Sequence, residues 1–391
     1  MRRPNLLRHL VPVMILTHFL GIGQATTLAE GLRVAALDRW QRHVIDSDRP
    51  WRAIFVLAAD LNGDTLPDVA SGAWWYRNPG RGKLHERWER IAFGEPLRNV
   101  AALYDFDGDG TTDVLGTTGR GSESSAQFVW AKNLGGGKFQ IADNIARAEG
   151  DFLQGVVVSR FQPGGLLQVA LSWHRAGQGI QMFTIPKDPV NEIWSWQKIS
   201  DISQDEDLSV GDIDGDARPD LLLGTIWLKN EGHRWVPYRL SNRAGDPDRN
   251  RLVDVDGDGK LDAVVGYEAI NKPGLLAWYR QPQDPRLLWE EHIISQEVVG
   301  PMSLDVGDLD EDGKWDIVVG EHWMARPQDA RLLIFKNVNG GKNWRIHEVA
   351  RGDEHHCGAI LVDIDRDGDL DIISIGWSHP RVLLYENLSI P

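Results

Sequence analysis

Six times along this chain, four carboxylate or amide side chains recur at fixed places within nine residues. The first three copies are Asp60, Asn62, Asp64 and Asp68; Asp105, Asp107, Asp109 and Asp113; and Asp212, Asp214, Asp216 and Asp220. The others are Asp254, Asp256, Asp258 and Asp262; Asp308, Asp310, Asp312 and Asp316; and Asp363, Asp365, Asp367 and Asp371. Oxygens at positions 1, 3, 5 and 9 of a tight loop, with Gly at position 4 or 6, converge on one point, and the position-7 carbonyl can join them. Hard oxygen donors on a flexible loop suit Ca²⁺. An EF-hand would need Glu at position 12 and flanking helices, but position 12 is Ser71, Gly116, Leu223, Val265, Val319 or Ser374 among strand-forming residues. The expectation is about six structural calcium sites. Solvated acidic turns are the competing reading, and six copies in register weigh against it.

A second set of reactive side chains lies between these loops. It comprises His174 and Arg175, Tyr267 beside Glu268, Glu321 and His322, Glu354 with His355 and His356, and His379, with Arg98, Arg120, Asp151 and Arg249 nearby in the pattern. Five of the twelve histidines fall here. Clustered His, Tyr, Arg and Glu supply a general base, a general acid and a carboxylate clamp, or a site for a softer metal such as Zn²⁺. A solvated loop residue is the plain reading of any one of them. Cys357, next to the histidine pair, is either a further ligand or a lone thiol.

The elements that must carry these residues follow from a repeat. The anchors start at 60, 105, 212, 254, 308 and 363, and the gap is filled by Arg160, Gln162, Gly164 and Gln168, the same frame without its carboxylates. Seven units of about fifty residues mean one supersecondary unit stacked repeatedly. Each anchor lies between two short β-type runs; a third run follows, such as Trp74–Asn78 or Leu332–Asn337, and a fourth opens on Trp40, Trp88, Phe139, Trp196, Trp235, Trp289 or Trp344. Four strands per unit make the blade of a β-propeller. The first aromatic strand precedes the first anchor and the chain stops after a third strand, so the N-terminal strand is expected to complete the last blade and close the ring. Strand alternation then puts the acidic loops on one face. The loops between second and third strands share the other face with the crossings between blades, where activity usually sits on a rigid scaffold. Trp75, Trp173, Trp227, Trp323 and Trp377 fall there, either to stack on sugar rings or to pack between blades.

The Asp-x-Asp-x-Asp-Gly-x-x-Asp loop between blade strands resembles the FG-GAP or VCBS repeat of integrin alpha-subunit propellers and many secreted bacterial proteins. The resemblance runs from about residue 38 to the end. It implies an all-β, seven-bladed, calcium-binding propeller with side-chain ligands at positions 1, 3, 5 and 9 of the six acidic loops. The unit at Arg160 departs from it and is expected to hold no metal. The architecture is also similar to propeller polysaccharide lyases and to aldos-2-ulose dehydratase, which implies β-elimination on a uronate polysaccharide or sugar. No motif matches theirs closely enough to transfer a catalytic residue. A glycan- or protein-binding propeller is the alternative, since no nucleophile motif such as Gly-x-Ser-x-Gly occurs.

Composition narrows the partners. A net charge of −15 over 391 residues, with no basic run, opposes binding to a phosphate backbone. Arg2, Arg3 and Arg8 before the apolar run 10–23, with small residues at Gly23-Gln-Ala25 and Thr27-Leu-Ala29, have the layout of a secretory signal over residues 1–29. The expectation is a secreted or periplasmic protein, not inserted in a membrane after cleavage, whose residues 30–391 form a single propeller with a carbohydrate ligand.

Overall fold

The computed structural model describes residues 36–389 other than Ala176, Asp205 and Cys357. The signal-type segment 1–29 and Cys357 lie outside them. Within the described residues, seven four-stranded antiparallel sheets follow one another as blades 1 to 7. Blade 1 is Val56–Ala59, Asp68–Ser71, Trp74–Arg77 and Glu89–Ala92, inner strand to outer. Blades 2 to 6 repeat the order over 99–142, 153–200, 209–239, 247–295 and 304–351. Blade 7 takes its three inner strands from Ile360–Val362, Asp371–Ile375 and Val382–Asn387 and its outer strand from Trp40–Asp46. The closure pairs Trp40 with Asn387 and His43 with Leu384, antiparallel, as the sequence predicts. It removes the two edges that a linear array of blades would expose.

The strand sequences reflect this packing. Second strands such as Asp113–Thr117, Asp316–Gly320 and Asp371–Ile375 are buried at every position, because a neighbouring blade covers each face. They read as continuous apolar runs rather than alternating ones. Outer strands such as Glu89–Ala92 stay largely exposed. The core is a chain of clusters, each joining two blades: Leu61, Ala70 and Trp75 of blade 1 pack with Val100, Val114 and Val129 of blade 2.

One polar device recurs. The position-9 aspartate, the first residue of the second strand, is fully or almost fully buried in all six acidic units. One oxygen accepts the position-2 amide and the other the amide of the residue that ends or follows the third strand. For Asp68 these are Leu61 N (3.1 Å) and Asn78 N (2.8 Å), and for Asp316 Leu309 N (3.3 Å) and Asn337 N (2.8 Å). In blade 7 the side-chain amide of that residue, Asn387, donates to Leu370 O of its own blade (3.3 Å), and in the other five units it reaches back to the preceding blade. Asn78 donates to Ile364 O, Asn133 to Leu61 O, Asn230 to Phe161 O, Gln281 to Ile213 O and Asn337 to Val255 O, at 2.6 to 3.0 Å. Blade 3 has Gln168 and Ile185 in these places: the Gln168 amide turns to Thr184 Oγ1 (3.0 Å) and the Ile185 amide to Leu167 O (2.9 Å). There the junction to blade 2 is aromatic instead, with Trp194 5.3 Å from Phe106 and 5.4 Å from Trp130.

Leaving a buried carbonyl or amide unpaired costs about 1–3 kcal/mol. Asn337→Ala orphans Val255 O and the Gly341 amide together. It should therefore cost at least ~2 kcal/mol in chemical denaturation, whereas Gln140→Ala on an exposed outer-strand position should stay within about 0.5 kcal/mol. Equal effects would refute the role given to the amide.

Candidate functional site

The two faces of the ring carry different chemistry. On the acidic-loop face, five units bring carboxylate oxygens of positions 1, 3 and 9 within 4.8 Å of one another: Asp105, Asp107 and Asp113; Asp212, Asp214 and Asp220; Asp254, Asp256 and Asp262; Asp308, Asp310 and Asp316; Asp363, Asp365 and Asp371. In blade 1 position 3 is Asn62, whose amide lies 3.5 Å from Asp68 Oδ1. Position 5 does not join these groups. It turns to its own loop, as when Asp64 accepts the Leu66 amide and Asp109 that of Thr111. In four blades a third-strand cation reaches positions 3 and 5: Lys132 to Asp107 and Asp109, Lys229 to Asp214 and Asp216, Arg280 to Asp256 and Asp258, and Lys336 to Asp310 and Asp312. In blade 7 the corresponding residue is Glu386, paired with His43 at 2.6 Å. Asp214 Oδ1 and Asp310 Oδ1 are buried without a hydrogen-bond partner. Three converging carboxylates with orphaned oxygens are a donor set for a hard divalent cation and compatible with Ca²⁺. In blade 3, Arg160 and Gln162 instead donate to Gly165 O and Gly232 O.

The opposite face holds the histidines, and backbone bonds stitch its loops together. His322 N donates to Val299 O, His355 N to Glu321 O and His356 N to Ile375 O, so successive crossings and loops from blade 5 to blade 7 form one surface. Gly320 permits this approach, since a Cβ there would stand 2.4 Å from His355 Cβ. Glu354 is the hub. One oxygen bonds His322 Nδ1, and the other accepts the amides of Trp377 and Ser378 and the Ser378 hydroxyl at 2.8 to 2.9 Å. Burial pushes the Glu354 carboxyl up, but His322 and the Ser378 amide outweigh it and hold the group at about 2. The His356 ring lies 4.6 Å from His322 and 5.0 Å from Trp377. Burial, with the charges of His322 and Arg249, drives its pKa well below the ordinary histidine value.

A cavity of about 350 Å³ is lined by inner strands of all seven blades, from Val56 and Ala101 through Gln154, Ser209, Arg249 and Leu304 to Ile360, and Gly358 in its wall stands two residues from His356. It lies on the ring axis. Arg249 pairs with Asp248 (2.6 Å) and Glu206 (3.3 Å), and lies 3.3 Å from Gln154 Oε1. Burial raises Asp248 to about 6 against the pull of Arg249, and raises Glu206 well above the usual carboxylate range. A neutral imidazole, a carboxylate-anchored imidazole, a guanidinium and two carboxyls that burial shifts toward the protonated form thus lie near one another. That set can take a proton from carbon, return one to oxygen and hold an anion.

Several expected residues stand elsewhere or are otherwise engaged. Tyr267 is buried in the blade 5 core with its hydroxyl 2.5 Å from that of Tyr279, and burial pushes it up to about 12. Glu321 is bound by Arg331 and the Val299 amide, so it fixes a loop. His355 is fully buried with Nδ1 2.8 Å from Ser374 Oγ, and burial lowers it to about 4. His379 Nε2 donates to Glu354 O and Nδ1 accepts the Arg381 amide, which leaves no ring nitrogen for chemistry. His174 and Arg175 lie together on blade 3 against Asp151, with His174 stacked on Phe152 at 4.3 Å. Among the described residues this face has no group of three metal-type ligand atoms, so the Zn²⁺ expectation has no matching geometry. Trp75, Trp173 and Trp227 are completely buried and belong to the core. Asp248, Glu206, Gln154 and Arg52 escaped the sequence reading; for Asp248 the signal was its place beside Arg249 in a crossing.

Residues 60–116 and 227–319 match the FG-GAP-like repeat. No curated protein matches the sequence. Among solved structures, the rhamnogalacturonan lyase YesW aligns at 13% identity over 92% of this chain and 76% of its own, with a TM-score of 0.46. BBS1N in complex with ARL6DN aligns at 9% identity over 90% and 96%, with a TM-score of 0.54.

The buried position-9 aspartates carry a pH signature. Against an ordinary value near 4, burial raises Asp68, Asp113, Asp220, Asp262 and Asp316 to about 7 and Asp371 to about 8. A carboxyl raised on folding stabilises fully below its unfolded pKa, and that stability is lost as pH rises through the folded value. In chelator the melting temperature should therefore fall between about pH 5 and pH 8, and a flat or rising profile would contradict the assignment. The chain is a seven-bladed β-propeller carrying FG-GAP-like repeats.

Proposed function

We propose that this propeller is an exported, calcium-stabilised, carbohydrate-active enzyme, a carbon–oxygen lyase or dehydratase that works by β-elimination on a uronate. The observation that carries the reading is the chain Glu354–His322–His356 near Arg249, which lines the axial cavity. Elimination needs a base for the proton next to a carboxylate, a cation for the enolate and a proton for the leaving oxygen. Glu354 holds His322 by Nδ1, which leaves Nε2 as the basic atom and stabilises the imidazolium formed there. Arg249 binds the substrate carboxylate as charge builds on it. The C–H and C–O bonds break, a C=C bond forms, and the proton leaves with the oxygen from the imidazolium or from the Glu206 carboxyl. His356, held neutral, orients the sugar without repelling the imidazolium. Calcium on the acidic loops would neutralise the opposite face and stiffen the ring, and its chemistry is that of a structural ion.

Incubation with uronate-containing polysaccharides, followed by ultraviolet absorbance of an unsaturated uronate, tests this. The wild type should give a rising trace, and His322→Ala and His356→Ala should lower the rate at least ~100-fold in protein that circular dichroism shows still folded at the assay temperature. Glu354→Gln should lower it and shift the pH profile. A flat wild-type trace on every uronate polymer would refute the lyase, and full activity in His322→Ala would refute the site. Calcium should raise the melting temperature of chelator-treated protein, and no change would refute its structural role.

A further inference from the structure

From the His322 cluster a strip of stacked rings and guanidinium groups runs outward across blades 7, 1 and 2. It begins with Trp377, 5.0 Å from His356, under Arg52, whose Cζ lies 4.9 Å from the indole centre. Trp51, next to Arg52 in the chain, is 4.3 Å from Trp74 and lies under Arg120 at 4.6 Å. Arg90 approaches Trp74 at 5.6 Å, but Asp46 pairs with it at 2.8 Å. Arg52 and Arg120 are exposed, and among the described residues neither guanidinium has a carboxylate partner. On a chain of charge −15, two guanidiniums on adjoining loops without a carboxylate partner are a local positive feature.

The loops are built to bring them together. Gly121 has φ of +50°, and a Cβ there would meet Arg52 O at 2.9 Å, so the Arg120 loop rests directly on the backbone of residue 52. Asn99 ties the same loop down at Gly121 O (3.4 Å). An indole beneath a guanidinium fixes the plane of the cation and leaves its N–H edge outward, which is the arrangement that grips a carboxylate with two parallel bonds.

We infer that this strip is a track for an acidic polysaccharide, with Arg52 and Arg120 as clamps for uronate carboxylates away from the bond that is cut. The substrate class rests on the proposed lyase reading; the binding chemistry rests on the arginines and rings alone. A sugar chain entering the His322 cluster continues over Trp377 and Trp51, which exposes its carboxylates to both clamps. The enzyme therefore takes a polymer rather than a monosaccharide.

Binding is measured in a His322→Ala background, which prevents turnover, with polygalacturonate, its fully methyl-esterified form and dextran sulfate as probes. Arg52→Gln and Arg120→Gln should each weaken polygalacturonate binding about tenfold, with unchanged melting temperatures and no effect on the esterified polymer. Binding that ignores both substitutions, or equal affinity for the esterified polymer, overturns the track. Equal, arginine-dependent binding of dextran sulfate overturns the carboxylate assignment. Arginine-dependent binding without an unsaturated product from the wild type would defeat the lyase reading and leave the track standing. Product formation with arginine-independent binding would do the reverse.

Discussion

The ring depends on a buried carboxylate that opens each second strand of six blades. An aspartate deprived of water is costly unless its oxygens are bonded, and here each oxygen accepts a main-chain amide, one from the acidic loop and one from the end of the third strand. The bond to the third strand places an Asn or Gln whose amide, in every acidic unit but that of blade 7, reaches the previous blade. One residue thus fixes the shape of the loop, the register of two strands and, through its neighbour, the angle between blades. Hydrophobic packing supplies the bulk of the adhesion but is non-directional. Directional bonds repeated around the circle hold seven similar wedges at the spacing that lets the last one meet Trp40–Asp46.

That rigidity has its use on the other face. The crossings and loops there differ in length and residue type while resting on equivalent strand ends, so side chains far apart in sequence meet at defined distances. His322 and Glu354 are bonded across 32 residues, and Arg52 covers Trp377 from the opposite end of the chain. Charge is distributed by the same logic. The acidic loops face one way, with lysines and an arginine on four of them, while Arg249 on the channel wall pairs with carboxyls that burial shifts toward the protonated form. Deep, partly neutral acids beside a cation are what proton transfer at carbon requires.

The repeat made the architecture legible. Six in-register Asp frames, a seventh with Arg160 and Gln162, and an aromatic residue opening each fourth strand define blades, faces and closure without reference to contacts. The Asn that follows the third strand was visible at Asn78, Asn133, Asn337 and Asn387, yet the reach of the first three to another blade depends on the ring and cannot be read from one unit. The site was legible only as a pool of residues. His322 and His356 meet, but Tyr267 turns into its own blade because Tyr279 offers a hydroxyl partner, and Glu321 is taken by Arg331. Trp75, Trp173 and Trp227 lie where a sugar platform was conceivable, but the adjoining blade covers them. A tryptophan at a strand end has the same local sequence whether a blade or a ligand covers its ring.

The central claim is that the channel mouth on the histidine face is where an acidic sugar binds and reacts. A crystal structure of the His322→Ala protein with a uronate tetrasaccharide tests it most directly. The account predicts a sugar carboxylate on the Arg249 guanidinium, with the adjacent carbon facing the space vacated by the imidazole. A tetrasaccharide seated on the acidic-loop face, or one on the histidine face with no contact to Arg249, would contradict it.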